Sequence, residues 1–286
     1  MKRFALDILI FVAVVTVVLG AACVALPGTR AKNSMLAQQI WIERTLQETP
    51  GGRIIFVGGS GCGCGLCSED IAKAFGRNVI NTGLHAGLGL IYQMKAVAHG
   101  VKAGDCVIVV PEYANFNGTS CYGDLELLSM VLDVVPSDRS LLDWEHWFYL
   151  VRFVPAYATS KMVGLLKKKT AFKPRKSQYG DAGWEPPDPN ARQFFPPSPE
   201  LSSDAYADDV IRHIKDFKQF CESRGARMLI FPPAFQRISF EHQADYIRRA
   251  SCGLEMAGIP FVVEPDKFAL SDDLFYDTPY HLNLNG

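Results

Sequence analysis

Ser60, Asp277 and His281 are the side-chain types that nucleophilic catalysis needs. Ser60 follows Gly58-Gly59 and precedes Gly61. Glycine lets the backbone turn sharply there, which can leave a hydroxyl exposed and let a substrate carbonyl approach nearby N–H groups. A serine also needs a base. The run Phe275-Tyr276-Asp277-Thr278-Pro279-Tyr280-His281-Leu282-Asn283 supplies one. His281 would take the serine proton, and Asp277, four residues earlier, would hold the other ring nitrogen if the segment turns. Each residue also has a plainer reading. Strand-Gly-Ser-Gly opens phosphate-binding loops too, and a lone histidine is more often structural. The phosphate-loop lysine is missing, however, and Gly61-Cys62-Gly63-Cys64-Gly65 is not followed by the acidic strand end of a dinucleotide site.

Such side chains must be brought together by regular elements. Arg53 to Val57 reads as a strand ending at Gly58, Asn78 to Asn81 as a second ending at Thr82-Gly83, and Cys106 to Val110 as a third closed by Pro111-Glu112-Tyr113. Residues 33–48, 205–224 and 240–257 read as helices. Ala226 to Phe231, stopped by Pro232-Pro233, and Ile259 to Val263 read as two more strands. Continuously apolar strands alternating with helices predict an open α/β chain with a central parallel sheet covered on both faces. In such sheets ligands bind beyond the carboxyl ends of the strands, so the loops starting at Ser60, Gly83, Glu112 and Pro232 are where chemistry belongs.

Between about residues 115 and 204 the pattern lapses into a helical or irregular insertion. Trp144, Trp147, Phe148, Tyr149, Phe153 and Tyr157 are followed by Lys161, Lys167 to Lys169, Lys173, Arg175 and Lys176. Two readings stay open: a surface facing a membrane or an acyl-bearing or anionic substrate, and a packed insert with a solvated charge run. Pro186 to Pro199 reads as an irregular loop.

Composition narrows the class. The chain has 286 residues, 48% of them hydrophobic, with 29 Lys and Arg against 30 Asp and Glu. That length can bury a core without disulfide or metal support, and it excludes a disordered or collagen-like chain. A net charge of −1 argues against a dedicated nucleic-acid binder. The uncharged run from Ile8 to Leu26 nearly matches a hydrocarbon core of about 30 Å. Lys2 and Arg3 precede it, Asp7 offsets them in part, and Arg30 and Lys32 follow. This predicts a single-span anchor with a cytoplasmic N-terminus and the remaining chain outside. A signal peptide cleaved near Ala21, Ala22 or Ala25, a lipid-bearing Cys23 and a buried core helix are the alternatives. The organisation is therefore an anchor or signal segment at 1–32 and one α/β domain at 33–286 that contains the insertion.

Taken in order, Gly58-Gly59-Ser60, Asn81-Thr82-Gly83 and Asp277 to His281 with Leu282-Asn283 resemble the blocks of the SGNH/GDSL hydrolase superfamily. The nearest likeness is to membrane-anchored extracytoplasmic members similar to the DltD and alginate O-acetylation proteins. It covers roughly residues 50–115 and 205–286. The resemblance implies a flavodoxin-like three-layer fold, with Ser60 as nucleophile, His281 and Asp277 as its partners, and Gly83 as an oxyanion donor beside Gly61 of the serine loop. Two features depart from the superfamily pattern. The Asp stands four residues before the His where three is usual, and the Gly-x-Asn-Asp block is replaced by Pro111-Glu112-Tyr113-Ala114-Asn115. Asn115 or Asn117 is the candidate for the missing oxyanion donor, and Glu112, Tyr113, Asn81 and Tyr280 are candidates for substrate binding.

The resemblance implies a serine esterase or O-acyltransferase that acts on an acylated cell-envelope polysaccharide or related polymer through an acyl-Ser60 intermediate. It implies a place in a bacterial cytoplasmic membrane, with lipid, the polymer and a membrane-bound acyltransferase as partners. A non-catalytic polymer-binding or assembly protein on the same fold is the alternative. No cofactor is called for. Cys62, Cys64 and Cys67 with His85 or His99 could be drawn as a zinc site, but their spacing matches no pair of Cys-x-x-Cys motifs. In an exported domain, Cys62 with Cys67 and Cys221 with Cys252 are candidate disulfides. Only Leu282 to Gly286 follow His281, and a covering helix beyond them is a further expectation.

Overall fold

A computed structural model describes residues 2–166, 177–181, 197–199, 201 and 206–286. Helix α1 (Lys2–Ala25) is the apolar N-terminal segment, and its stretch Leu6–Ala25, with a mean hydropathy of 3.0, is long and apolar enough to cross a membrane. A short helical turn and α2 (Gln38–Glu48) lead to strand β1 (Ile54–Gly58). Then come α3 (Ser60–Gly65), α4 (Ser68–Phe75), β2 (Val79–Asn81), α5 (Leu90–Ala98) and β3 (Cys106–Val110). Beyond a run of short helical turns lie α6 (Trp144–Leu150) and α7 (Val154–Leu166), followed after the insertion by α8 (Asp209–Ser223) and β4 (Arg227–Ile230). The chain closes through β5 (Phe235–Gln236), α9 (Arg237–His242), α10 (Ala244–Met256) and β6 (Ala269–Leu270).

The four longer strands form one parallel sheet in the order β2-β1-β3-β4, with Ile54 opposite both Val79 and Cys106, and Cys106 opposite Arg227. Alternation divides the side chains between two cores. Ile55, Val57, Val107 and Val109 enter the main core with α5, α8 and the insertion, whereas Ile54, Phe56 and Val79 form a smaller cluster against Leu66 and Ile71. On that second face Cys106, Ile108 and Val110 are only half-buried, so cover there is thinner than continuous apolar strands suggest.

A buried ion pair clamps the opposite end of the sheet from the site. Arg53, fully enclosed, donates to Asp105 from Nε at 3.1 Å and Nη2 at 2.6 Å, and to the carbonyls of Leu46 and Gly100 at 2.6 Å each. Burial alone would raise the Asp105 carboxyl, but hydrogen bonds from Arg53 and from the Arg53 and Lys102 N–H groups hold it below its ordinary range.

Several boundaries differ from the sequence reading. Ile259 to Val263 is not a strand: Val262 N–H makes one bond to Ile230 O at 3.0 Å, and Pro260, two residues earlier, has no N–H to extend it into a ladder. A short parallel pair, β5 with β6, was not anticipated. The helix expected at 240–257 is two, broken at Gln243. The insertion is helical through Leu166, while the basic run 167–176 lies outside the described residues, as does most of Pro186 to Pro199. Neither expected disulfide forms, since Cys62 and Cys221 are buried whereas Cys67 and Cys252 are exposed.

Candidate functional site

Ser60 lies just beyond the end of β1, where Gly59 hands the strand over to α3. The close packing at this turn requires glycine: a Cβ on Gly59 would run into the Glu112 carboxyl at the end of β3. The turn leaves Ser60 Oγ 2.8 Å from His281 Nε2, and Asp277 Oδ1 lies 2.7 Å from His281 Nδ1. The four-residue spacing is thus accommodated. Thr278-Pro279 makes a turn in which His281 N–H donates to Thr278 Oγ1 at 3.1 Å, and Phe275 bridges Leu282 across it. The side chains of His281 and Asp277 are 12% and 32% exposed, so the relay sits at the surface within reach of substrate.

The histidine loop is held by residues that no catalytic motif marks. Tyr280 stacks on Phe235 with ring centroids 4.6 Å apart, and Tyr113 meets the same Phe235 edge-on at 5.2 Å. Tyr280 Oη accepts the Tyr113 N–H at 3.2 Å, and Gln236 N–H donates to Pro279 O at 3.0 Å. Tyr113 and Tyr280 were candidates for substrate binding. Tyr113 is instead fully enclosed, and the two rings brace the loop that carries His281.

Two oxyanion candidates are engaged elsewhere. Gly83 N–H donates to Asn81 Oδ1 at 3.0 Å, because the asparagine folds back over its own turn. Asn81 Nδ2 in turn donates to Cys62 O and to Asp181 Oδ1, both at 2.9 Å. Asn81, fully buried, thus clips β2 to α3. Asp181, which also accepts from Ser68 N and Oγ, completes this clip, and nothing in its local sequence announced it. Asn115 Oδ1 accepts the Glu112 N–H at 2.9 Å and caps the short turn Tyr113–Phe116; Asn117 pairs with Tyr206 in an isolated bridge. The first N–H groups of α3, those of Ser60 and Gly61, precede its first intrahelical bonds, which run from Cys62 and Gly63 to Gly59 O.

Glu112 is the unusual member of the site. Its side chain is buried beside Gly59, and its Oε1 is sealed from solvent with no hydrogen-bond partner of normal geometry. Burial pushes the carboxyl up to about 7, and the Gly61 N–H facing it offsets part of that rise. Next to it opens a cavity of about 300 Å³ lined mainly by apolar side chains, among them Phe56, Val110, Phe231 and Leu282, with Gly61 and Glu112 on its wall.

Among the described residues, no cluster of three or more potential metal ligands occurs. His85 Nδ1 accepts the Gly87 N–H, and Cys67 Sγ donates to Asp70. The arrangement as a whole contains a hydroxyl, a base within hydrogen-bond reach of it, and a carboxylate that orients the base, which are the parts of acyl transfer through a serine. No family model, no curated protein and no solved structure matches this chain.

Proposed function

We propose that the chain is a membrane-anchored serine esterase or O-acyltransferase with Ser60 as nucleophile. The observation that carries the reading is the continuous relay from Ser60 Oγ through His281 to Asp277. His281 takes the Ser60 proton as Oγ attacks an ester carbonyl, and the Ser60 N–H, which precedes the first intrahelical bonds of α3, serves the oxygen on which charge develops, the Gly61 N–H being turned to Glu112. The tetrahedral species expels its alkoxide, which His281 protonates, leaving an acyl-Ser60 ester. Water or a sugar hydroxyl, deprotonated by His281, then attacks that ester and releases Ser60. The neutral form of Glu112 keeps negative charge away from the developing oxyanion, and the apolar cavity beside Gly61 suits an acyl chain.

The sheet order matches the first four strands of the flavodoxin-like arrangement, and with the order of the three blocks it supports an SGNH-type assignment. On that assignment α1 spans a bacterial cytoplasmic membrane, and the domain works outside it on an envelope polysaccharide or related acylated polymer, alongside a membrane-bound acyltransferase partner. A non-catalytic polymer-binding role is favoured by one observation, the engagement of Gly83 and Asn115 in internal hydrogen bonds. Turnover of activated acyl esters separates the two: hydrolysis or transfer that disappears in Ser60→Ala supports the enzyme, and equal rates in both proteins refute it.

A further inference from the structure

The junction between α1 and the domain is packed. Ala22 is buried, Gly28 lies directly against Asp133, and Ala31 and Leu36 enter the main core. Lys161 on α7 donates to Cys23 O in the last turn of α1 at 2.7 Å and pairs with Asp133 at 3.1 Å, with the two side chains only 6% and 8% exposed. An enclosed cation bonded to the end of α1 fixes where that helix leaves the domain. Helix α7 also packs against α1, so both meet the same surroundings.

Two exposed apolar surfaces lie on α7, which packs against α1, and on α6, which precedes it in the chain. Helix α7 ends in the uncharged run Met162 to Leu166, and Met162 and Val163 are exposed. Helix α6 runs into α7 through the single turn Val151–Phe153. On it Trp144 and Phe148 are 72% and 65% exposed, with Trp147 and Val151 also open, while His146 and Leu150 are buried. Positions 144, 147, 148 and 151 share one side of a helix, so the outward side is the apolar one. Tryptophan and phenylalanine on an outward face match the boundary between lipid headgroups and acyl chains.

We propose that the face formed by Trp144, Trp147, Phe148, Val151, Met162 and Val163 rests in the lipid bilayer that α1 crosses, at headgroup depth, and holds the domain in one orientation on the membrane. The proposal rests on the reading of α1 as a membrane span, and the packed junction makes the bilayer the surface this face meets. The test reconstitutes the full chain into phosphatidylcholine/phosphatidylglycerol vesicles with and without brominated acyl chains. Alkaline extraction comes first: protein that washes off overturns the span and the proposal with it. For retained protein, brominated lipid should quench part of the wild-type tryptophan emission, and that part should be lost in Trp144→Phe/Trp147→Phe, whose changes fall on exposed rings. Equal quenching in the two proteins, or wild-type emission quenched by aqueous acrylamide and not by brominated lipid, overturns the proposal while leaving the span intact.

Discussion

Asp277 and Glu112 test the site at the scale of single residues. Asp277 fixes the histidine ring through Nδ1, so Asp277→Asn should lower kcat by roughly 10³-fold or more with KM little changed, as read from steady-state ester hydrolysis. Glu112 makes a pH prediction. Its folded carboxyl titrates at about 7 against an ordinary 4.5, so the folded state holds a proton that the unfolded chain releases earlier. The stabilisation is complete below about pH 4.5 and disappears as pH rises through about 7, a loss of about 3 kcal/mol. Glu112→Gln should flatten that decline, and its Tm should exceed the wild type's above pH 8; parallel Tm profiles for the two proteins would contradict the assignment. In wild type the same ionisation sets charge beside the oxyanion, so kcat should fall above pH 7 and recover in Glu112→Gln. Residue types, taken with the glycine-flanked strand end and the Asp-to-His spacing, pointed to Ser60, His281 and Asp277, which the structure brings within hydrogen-bond distance of one another. They could not reveal that Gly83 and Asn115 are engaged, because a backbone N–H or an amide gains its role from its neighbours.

At the scale of elements, precision at the site comes from the β5 segment and the histidine loop. Phe235 supports Tyr280, and Tyr280 stands next to His281 in the chain. Tyr280→Ala should therefore cut kcat by about 10²-fold through displacement of the imidazole, while KM for small esters and the far-UV spectrum stay close to wild type. The cavity beside Gly61 gives a second prediction: each CH₂ added to a short acyl ester should raise kcat/KM about 4-fold until the cavity is filled. A flat or falling series would exclude the cavity as an acyl site. Strands β1 to β4 were readable because each is built on a short apolar run bounded by a turn, with polar residues only at the ends of β2 (Asn81) and β4 (Arg227). Ile259 to Val263 looked the same, but Pro260 removes the donor a ladder needs. The pair β5 with β6 was too short to carry a periodic signal.

For the whole molecule, the buried Arg53–Asp105 pair joins α2, α5, β1 and β3 at the end of the sheet remote from Ser60. Removing one partner strands the other charge in the interior, so Asp105→Ala should cost about 3–5 kcal/mol in chemical denaturation of the full chain in detergent. Double replacement of both residues by apolar side chains should recover much of that loss. The pair was invisible beforehand: Arg53 read as the polar start of a strand, and Asp105 stands just before the next strand, 52 residues away in the chain. The apolar N-terminal helix, in contrast, was legible from nineteen uncharged residues, although its packed junction with Asp133 and Lys161 was not.

Intact-mass measurement after treatment with a serine-directed fluorophosphonate tests the central claim most directly. Wild-type protein should gain one phosphonyl adduct that maps to Ser60, Ser60→Ala should gain none, and His281→Gln should react far more slowly. Folded wild-type protein that stays unmodified, or an adduct that persists in Ser60→Ala, would contradict the account.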